Sequence, residues 1–294
     1  MEYEPYNPYK QNPCLNGNRP EIKPEINIKD IHDRIEDIKQ TTDNEINEFI
    51  NFSHSSSFFK KIFKTIGCIS NETKISFTKD KIKTVVVDPA NIMMLTLEIP
   101  NTAIEEYYIK KDMSLGLDID KLNYLLKTSK KTDMFKFVYD AKKDINKSFI
   151  NIGLFKHSQT LIDSENLPNP KIPNILLPVK IKLDINILYD FLIQADNISD
   201  HIEITAEKNK LTLHAENNTD NVTITLTRDH FISYQCDSRY KSLFSVDYML
   251  NIIKQLKTLF TDIELKIGND NPIEINCDNG YTVKVLLAPR IESE

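Results

Sequence analysis

Four stretches decide the fold: EFINFSHSSSFFKKIFKTI (48–66), SLGLDIDKLNYLLK (114–127), KIKLDINILYDFLIQA (180–195) and LFSVDYMLNIIKQLKTLF (243–260). In each, a short alternating run ends in a small polar residue. An amphipathic run follows at once, its apolar residues three and four apart. Ser55, Asp118, Asp184 and Asp247 are candidate N-caps, because a short oxygen-bearing side chain accepts from the first free helical N–H groups. Their spacings are 63, 66 and 63 residues, and a period this regular marks a structural repeat.

Between these stretches the chain reads as strands. TKISFT, KIKTVVVD, IMMLTLEI and AIEEYYI follow the first helix; MFKFVYD, SFINIGL and FKHSQTLI the second; HIEITAE, KLTLHAE, NVTITLT and HFISYQC the third; DIELKIG, PIEINC and YTVKVLL the fourth. Turn residues such as Asn-Asp and Asp-Asn-Gly separate them, which suggests antiparallel meanders. Each unit is one strand, one helix, then three or four strands. Two units make a domain, and the expected class is α+β with two similar domains, 48–162 and 179–294.

The connector, 163–178, holds Pro168, Pro170, Pro173 and Pro178 and should run extended across a surface rather than enter a sheet. It displays Leu167, Ile172, Ile175 and Leu176, and apolar side chains on an ordered loop suggest binding. Residues 1–27 carry five prolines and are expected to be disordered or extended. Residues 28–47 show a narrow helical stripe of Ile28, Ile31, Ile35 and Ile38, either docked or solitary. MEYEPYNPYK lacks the basic and apolar regions of a secretory signal.

Composition narrows the function classes. Cys14, Cys68, Cys236 and Cys277 form no Cys-x-x-Cys pair, and the six histidines form no ligand pair, so neither a metal nor a cofactor is expected. With six glycines and no phosphate-loop or nucleophile-elbow motif, no catalytic site is expected either. The net charge is −6, with −4 on residues 1–47 and −2 on the remainder. Contact with DNA would therefore need a local basic surface.

SSSFFKKIF, TVVVDPANIMMLTLEIP, LIDSENLPNPKIP, SLFSVDYML and the terminal VLLAPRIESE resemble the proliferating cell nuclear antigen family of sliding clamps, especially archaeal members. The resemblance covers residues 48–294 and leaves 1–47 unmatched. It implies the DNA clamp fold: two β-α-β-β-β units per domain, helices inside, antiparallel sheets outside, three subunits closing a ring. It also implies a non-catalytic processivity factor that encircles duplex DNA, is opened by a clamp loader, and tethers polymerase and repair proteins. Such partners insert a peptide with a glutamine, an aliphatic residue and two aromatics. The implied location is the cytoplasm of an archaeal-like cell, or the nucleus of a eukaryote.

Three residue groups follow. Lys60, Lys61 and Lys64 on the first helix, Lys121, Lys127, Lys130 and Lys131 on or after the second, and Lys254 and Lys257 on the fourth are the DNA-contact candidates; the plain alternative is a solvated helix face. The third helix instead carries Asp184, Asp190 and Asp196. The partner pocket implied by the family motif comprises Val87, Ile92, Met94, Leu167, Ile172, Pro173, Pro272, Leu287, Ala288 and Pro289. For Val87 and Met94, burial in the core is the competing reading. The subunit edges are 155–162 and 221–227, with Phe155, Ser158, Thr160 and Ile162 facing Val222, Ile224 and Leu226. Unpaired edges are otherwise an aggregation liability. The alternatives are a subunit of a heterotrimeric, checkpoint-type or mobile-element clamp, an enzyme built on scattered acid pairs, and an interaction module that never loads on DNA.

Overall fold

The computed structural model describes residues 48–290. The expectations for 1–47, including the isoleucine stripe, and for the last four residues lie outside the described residues.

The first unit is β1 (Phe49–Ser55), α1 (Ser56–Gly67), β2 (Glu72–Phe77), β3 (Lys81–Val87), β4 (Met93–Pro100) and β5 (Glu106–Ile109). The second is β6 (Met113–Asp118), α2 (Ile119–Leu126), β7 (Met134–Asp140), β8 (Lys147–Ile152) and β9 (Phe155–Thr160). The third is β10 (Val179–Asp184), α3 (Ile185–Ala195), β11 (His201–Glu207), β12 (Lys210–Glu216), β13 (Asn221–Leu226) and β14 (Phe231–Gln235). The fourth is β15 (Tyr240–Ser245), α4 (Val246–Leu256), β16 (Asp262–Ile267), β17 (Ile273–Asp278) and β18 (Thr282–Leu287).

Among the described residues, each α-helix starts directly off a strand. The Ser55 Oγ accepts from the Phe58 N–H, the Asp118 carboxylate from Lys121 N–H and the Asp184 carboxylate from Asn186 N–H, as these side chains should. The fourth cap departs from expectation. It is Ser245, which makes no side-chain cap bond, and Asp247 lies inside the first turn. A carboxylate there still meets the positive end of the helix dipole.

The wiring repeats. In each half, the strand before one helix pairs antiparallel with the strand after the other: β1 with β7 and β6 with β2, then β10 with β16 and β15 with β11. Three sheets result among the described residues: β5-β1-β7-β8-β9, β13-β12-β11-β15, and nine strands in the order β14-β10-β16-β17-β18-β4-β3-β2-β6. The β18–β4 ladder, from Thr282 opposite Glu98 to Leu287 opposite Met93, joins the halves through main-chain bonds.

Helix packs on helix, α1 with α2, α3 with α4, and α1 with α4. Each buries one stripe, such as Phe59, Ile62, Phe63 and Ile66 of α1, or Ile185, Leu188, Phe191 and Leu192 of α3. A fully buried side chain of this size contributes about 1.5–3 kcal/mol. The first core is aromatic: the rings of Phe52, Phe59, Phe63, Phe77, Phe135 and Phe137 touch in one cluster. The second is mainly aliphatic, with Leu192, Ile204, Leu213, Ile253 and Leu265 at or near zero exposure.

No strand or helix forms within the connector. It leaves β9 through a bridge between Ile162 and Gly116 of β6. A Cβ on residue 116 would overlap the Ile162 carbonyl, so glycine there lets the connector lie on the sheet.

Candidate functional site

On the helix layer, Lys60, Lys61 and Lys64 of α1 meet Lys130 and Lys131 of the turn after α2. They line one cleft of about 270 Å³, closed on the third side by Gln255 and Thr258. α1 turns these lysines outward because its apolar stripe faces the core. The Lys60 ammonium also donates to the Lys127 carbonyl at 2.9 Å, tying α1 to the end of α2. Five ammonium groups with no carboxylate in the lining form an anion-seeking surface.

The other lysines are placed differently. Lys121 sits 2.9 Å from Asp118, the cap of its own helix. Burial raises the Asp118 carboxyl, but the Lys121 N–H and ammonium outweigh it and hold the group below its usual range. Lys121 lines a separate groove between α2 and β9, so it is not brought together with the cleft. Lys254 is exposed, and the Lys257 ammonium sits 3.4 Å from the Tyr189 ring centre. α3 carries no lysine, and Asp184, Asp190 and Asp196 are all exposed.

On the opposite sheet face, strand alternation settles two doubtful residues. Val86, Met93 and Leu95 point into the core, so Val87 and Met94 point out, half-buried. Register places Val87 opposite Met94, and Met94 opposite Leu286. Leu287, expected here, has no exposure and belongs to the core. Its neighbour Leu286 lies on the outer face, because one step along a strand reverses the side chain, though it is covered to 7% exposure. The apolar row Val87–Met94–Leu286 gives way to Glu274 and Lys266, paired at 2.7 Å. The next outward charges are Lys83 and Glu98, also at 2.7 Å.

Asp88 shapes the end of this row. Its carboxylate accepts from the N–H groups of Ala90, Ile92 and Met93 and from the Tyr248 hydroxyl of α4. It fixes a turn in which Asn91 adopts φ 57°. The Ala288 N–H then donates to the Ile92 carbonyl, bringing Ala288 and Pro289, both half-buried, beside that turn. Pro272 is half-buried and adjoins Ile273, which is opposite Leu287. From the connector, Ile172 is 42% exposed and lines a groove of about 760 Å³ with Thr96, Glu98, Asp262, Asn276 and Lys284, so it is not brought together with the Val87–Met94–Leu286 row. Pro173 is exposed. Leu167 packs instead on Gly116 of β6, two strands from β3.

β9 and β13 each end a sheet. Phe155 is 66% exposed, Ser158 and Thr160 are exposed, and Ile162 is half-buried in its bridge to Gly116. On β13, Val222 and Ile224 are half-buried, whereas Leu226, expected at the edge, is in the core with 1% exposure. Thr225 and Thr223 alternate with them and are exposed.

The comparisons fit this geometry. The family model for the proliferating cell nuclear antigen N-terminal domain matches residues 50–160. The DNA polymerase sliding clamp of Methanococcoides burtonii is 34% identical over 239 residues, spanning 80% of this chain and 96% of that protein. The chain belongs to the DNA polymerase sliding clamp family. The sliding clamp of Methanocella arvoryzae is 29% identical over 82% of this chain and 98% of its own length. Among solved structures, the A. fulgidus clamp bound to the C-terminal region of FEN-1 aligns with a TM-score of 0.77 at 25% identity, covering 83% of this chain and all of that one. Against this family background, Asp88 and Leu286 are the residues that sequence reading missed. Asp88 was visible only as part of a turn motif. Leu286 differs from Leu287 by one step of alternation.

Proposed function

We propose that this chain is a DNA polymerase sliding clamp subunit, a non-catalytic ring protein that holds replication and repair proteins on duplex DNA. Three copies would close head to tail, β9 of one against β13 of the next, with 48–162 and 179–294 as repeated domains and 163–178 as the loop between them. The observation that carries this reading is that β9 and β13 each end a sheet, while their equivalents in the repeated wiring, β18 and β4, pair within the chain. Main-chain bonds across such edges need no particular side chains, and closure removes the aggregation liability.

With the ring closed, the helix layer faces the hole. The lysine cleft of α1 and α2 would meet phosphates, and phosphate contacts carry no sequence information, as a sliding protein requires. Outside, Val87, Met94, Leu286, Ile92, Ala288 and Pro289 would receive the two aromatics of a partner peptide, with Ile172 and Pro173 of the connector reaching in from the neighbouring groove. The A. fulgidus clamp bound to a FEN-1 tail supports that use. A cytoplasmic site of action follows if the source cell is archaeal.

Light scattering on the purified chain tests the ring. A three-chain mass is expected. A monomer at high concentration would instead favour a heterotrimeric subunit, the second reading, which the acidic outer side of α3 supports.

A further inference from the structure

The C-terminal arm crosses from one sheet to another on few bonds. It leaves β18 at Leu287, and the Ala288 N–H donates to Ile92. Pro289 has no N–H to give. The next anchor is Arg290, whose N–H donates to the Leu243 carbonyl of β15 at 2.8 Å. Its guanidinium lies 2.7 Å from the Asp200 carboxylate and 3.3 Å from the Asp200 carbonyl. That same carbonyl accepts from the Val246 N–H, the first residue of α4. Asp200 also meets His201 Nδ1 at 2.8 Å, and His201 first, then Arg290, hold its carboxyl below the usual range.

We propose that Arg290 is a positioning residue for partner binding, a strut that braces the arm against Asp200 so that Ala288 and Pro289 stay in place as the pocket wall. This rests on the pocket reading above. An exposed ion pair alone contributes little. Here it is the side-chain half of an anchor whose main-chain half, the Arg290 N–H bond to Leu243, survives substitution, so losing it loosens Pro289 on its distal side without releasing it. A wall that must then be ordered at each binding event loses affinity through the dissociation rate. The polar partners of Arg290 are Leu243 and Asp200, neither of them in the pocket, so its effect travels through the arm.

The test compares wild type, Arg290→Met, Arg290→Lys and Asp200→Asn. The probe is a fluorescent peptide carrying a glutamine, an aliphatic residue and two aromatics, read by anisotropy and by its off-rate at low and high salt. Expected are affinities about five- to tenfold weaker for Arg290→Met and Asp200→Asn, through faster dissociation, with Arg290→Lys in between. The double variant should be little worse than Arg290→Met alone, because that change already removes the ion pair that Asp200→Asn weakens. Wild-type affinity should also fall with salt more steeply than that of Arg290→Met. Mass and melting temperature serve as fold controls, and Asp200→Asn decides if Arg290→Met is unstable. Wild type binding while Arg290→Met and Asp200→Asn bind within twofold of it overturns the strut and leaves the pocket standing. Wild type failing to bind overturns the pocket reading and the strut with it.

Discussion

α1 and α3 occupy equivalent places in two halves wired alike, yet their exposed sides carry opposite charge. α1 shows Lys60, Lys61 and Lys64 beside Lys130 and Lys131, while α3 shows Asp190, with Asp184 and Asp196 at its ends. Both bury an apolar stripe of the same kind. The fold demands only that stripe, so the outer side is free to vary and reports the task. The cores differ too, clustered phenylalanines in the first half against leucines and isoleucines in the second. The tolerance is the same: apolar volume must be filled, by whichever residues fit.

The largest expected effect lies in those cores. Phe135, whose ring meets Phe52, Phe59 and Phe63, should cost about 3–5 kcal/mol when changed to alanine. Leu265→Ala in the second core should cost about 2–5 kcal/mol. Because β18 and β4 join the halves in one ladder, chemical denaturation of either variant should still show a single step. Two separated steps would mean that the halves unfold independently.

Next comes the edge of the first half. Phe155 is mostly exposed, so Phe155→Lys should leave melting nearly unchanged while weakening assembly by about 2 kcal/mol or more. Light scattering across a dilution series reads the difference. An unchanged mass profile would place the subunit contact elsewhere.

Smaller effects concern charge. Lys61, Lys64 and Lys131 changed together to alanine should flatten the slope of log affinity against log salt by about 2.7, at roughly 0.9 per contact. Smallest is Asp190→Lys, which should steepen that slope by about 0.9 or less if α3 also faces DNA. No change in either variant would remove the helix layer from the DNA path.

Much of this was legible in the sequence because it is local. Strand alternation and helical stripes recur within a few residues, so Ser55, Asp118 and Asp184 are legible as caps; the edges 155–162 and 221–227 rest on the family resemblance, and β9 and β13 do each end a sheet. What escaped depends on geometry at strand ends and on distant partners. Leu286 and Leu287 are equally apolar, and only register against Met94 tells them apart. Leu226 follows Ile224 in the same alternation, but its step further inward is covered. Asp88 holds its own turn through Ala90, Ile92 and Met93, but its fourth donor, Tyr248, lies 160 residues away. Lys121 looked like its neighbours until its own cap claimed it.

The central claim is a closed ring around DNA, and topology tests it most directly. The chain is loaded with a clamp loader onto a nicked circular duplex, washed in high salt, and the circle is then cut. The account predicts retention on the intact circle and rapid loss once free ends exist. Equal retention before and after cutting, or loss from the circle during the wash, would contradict it.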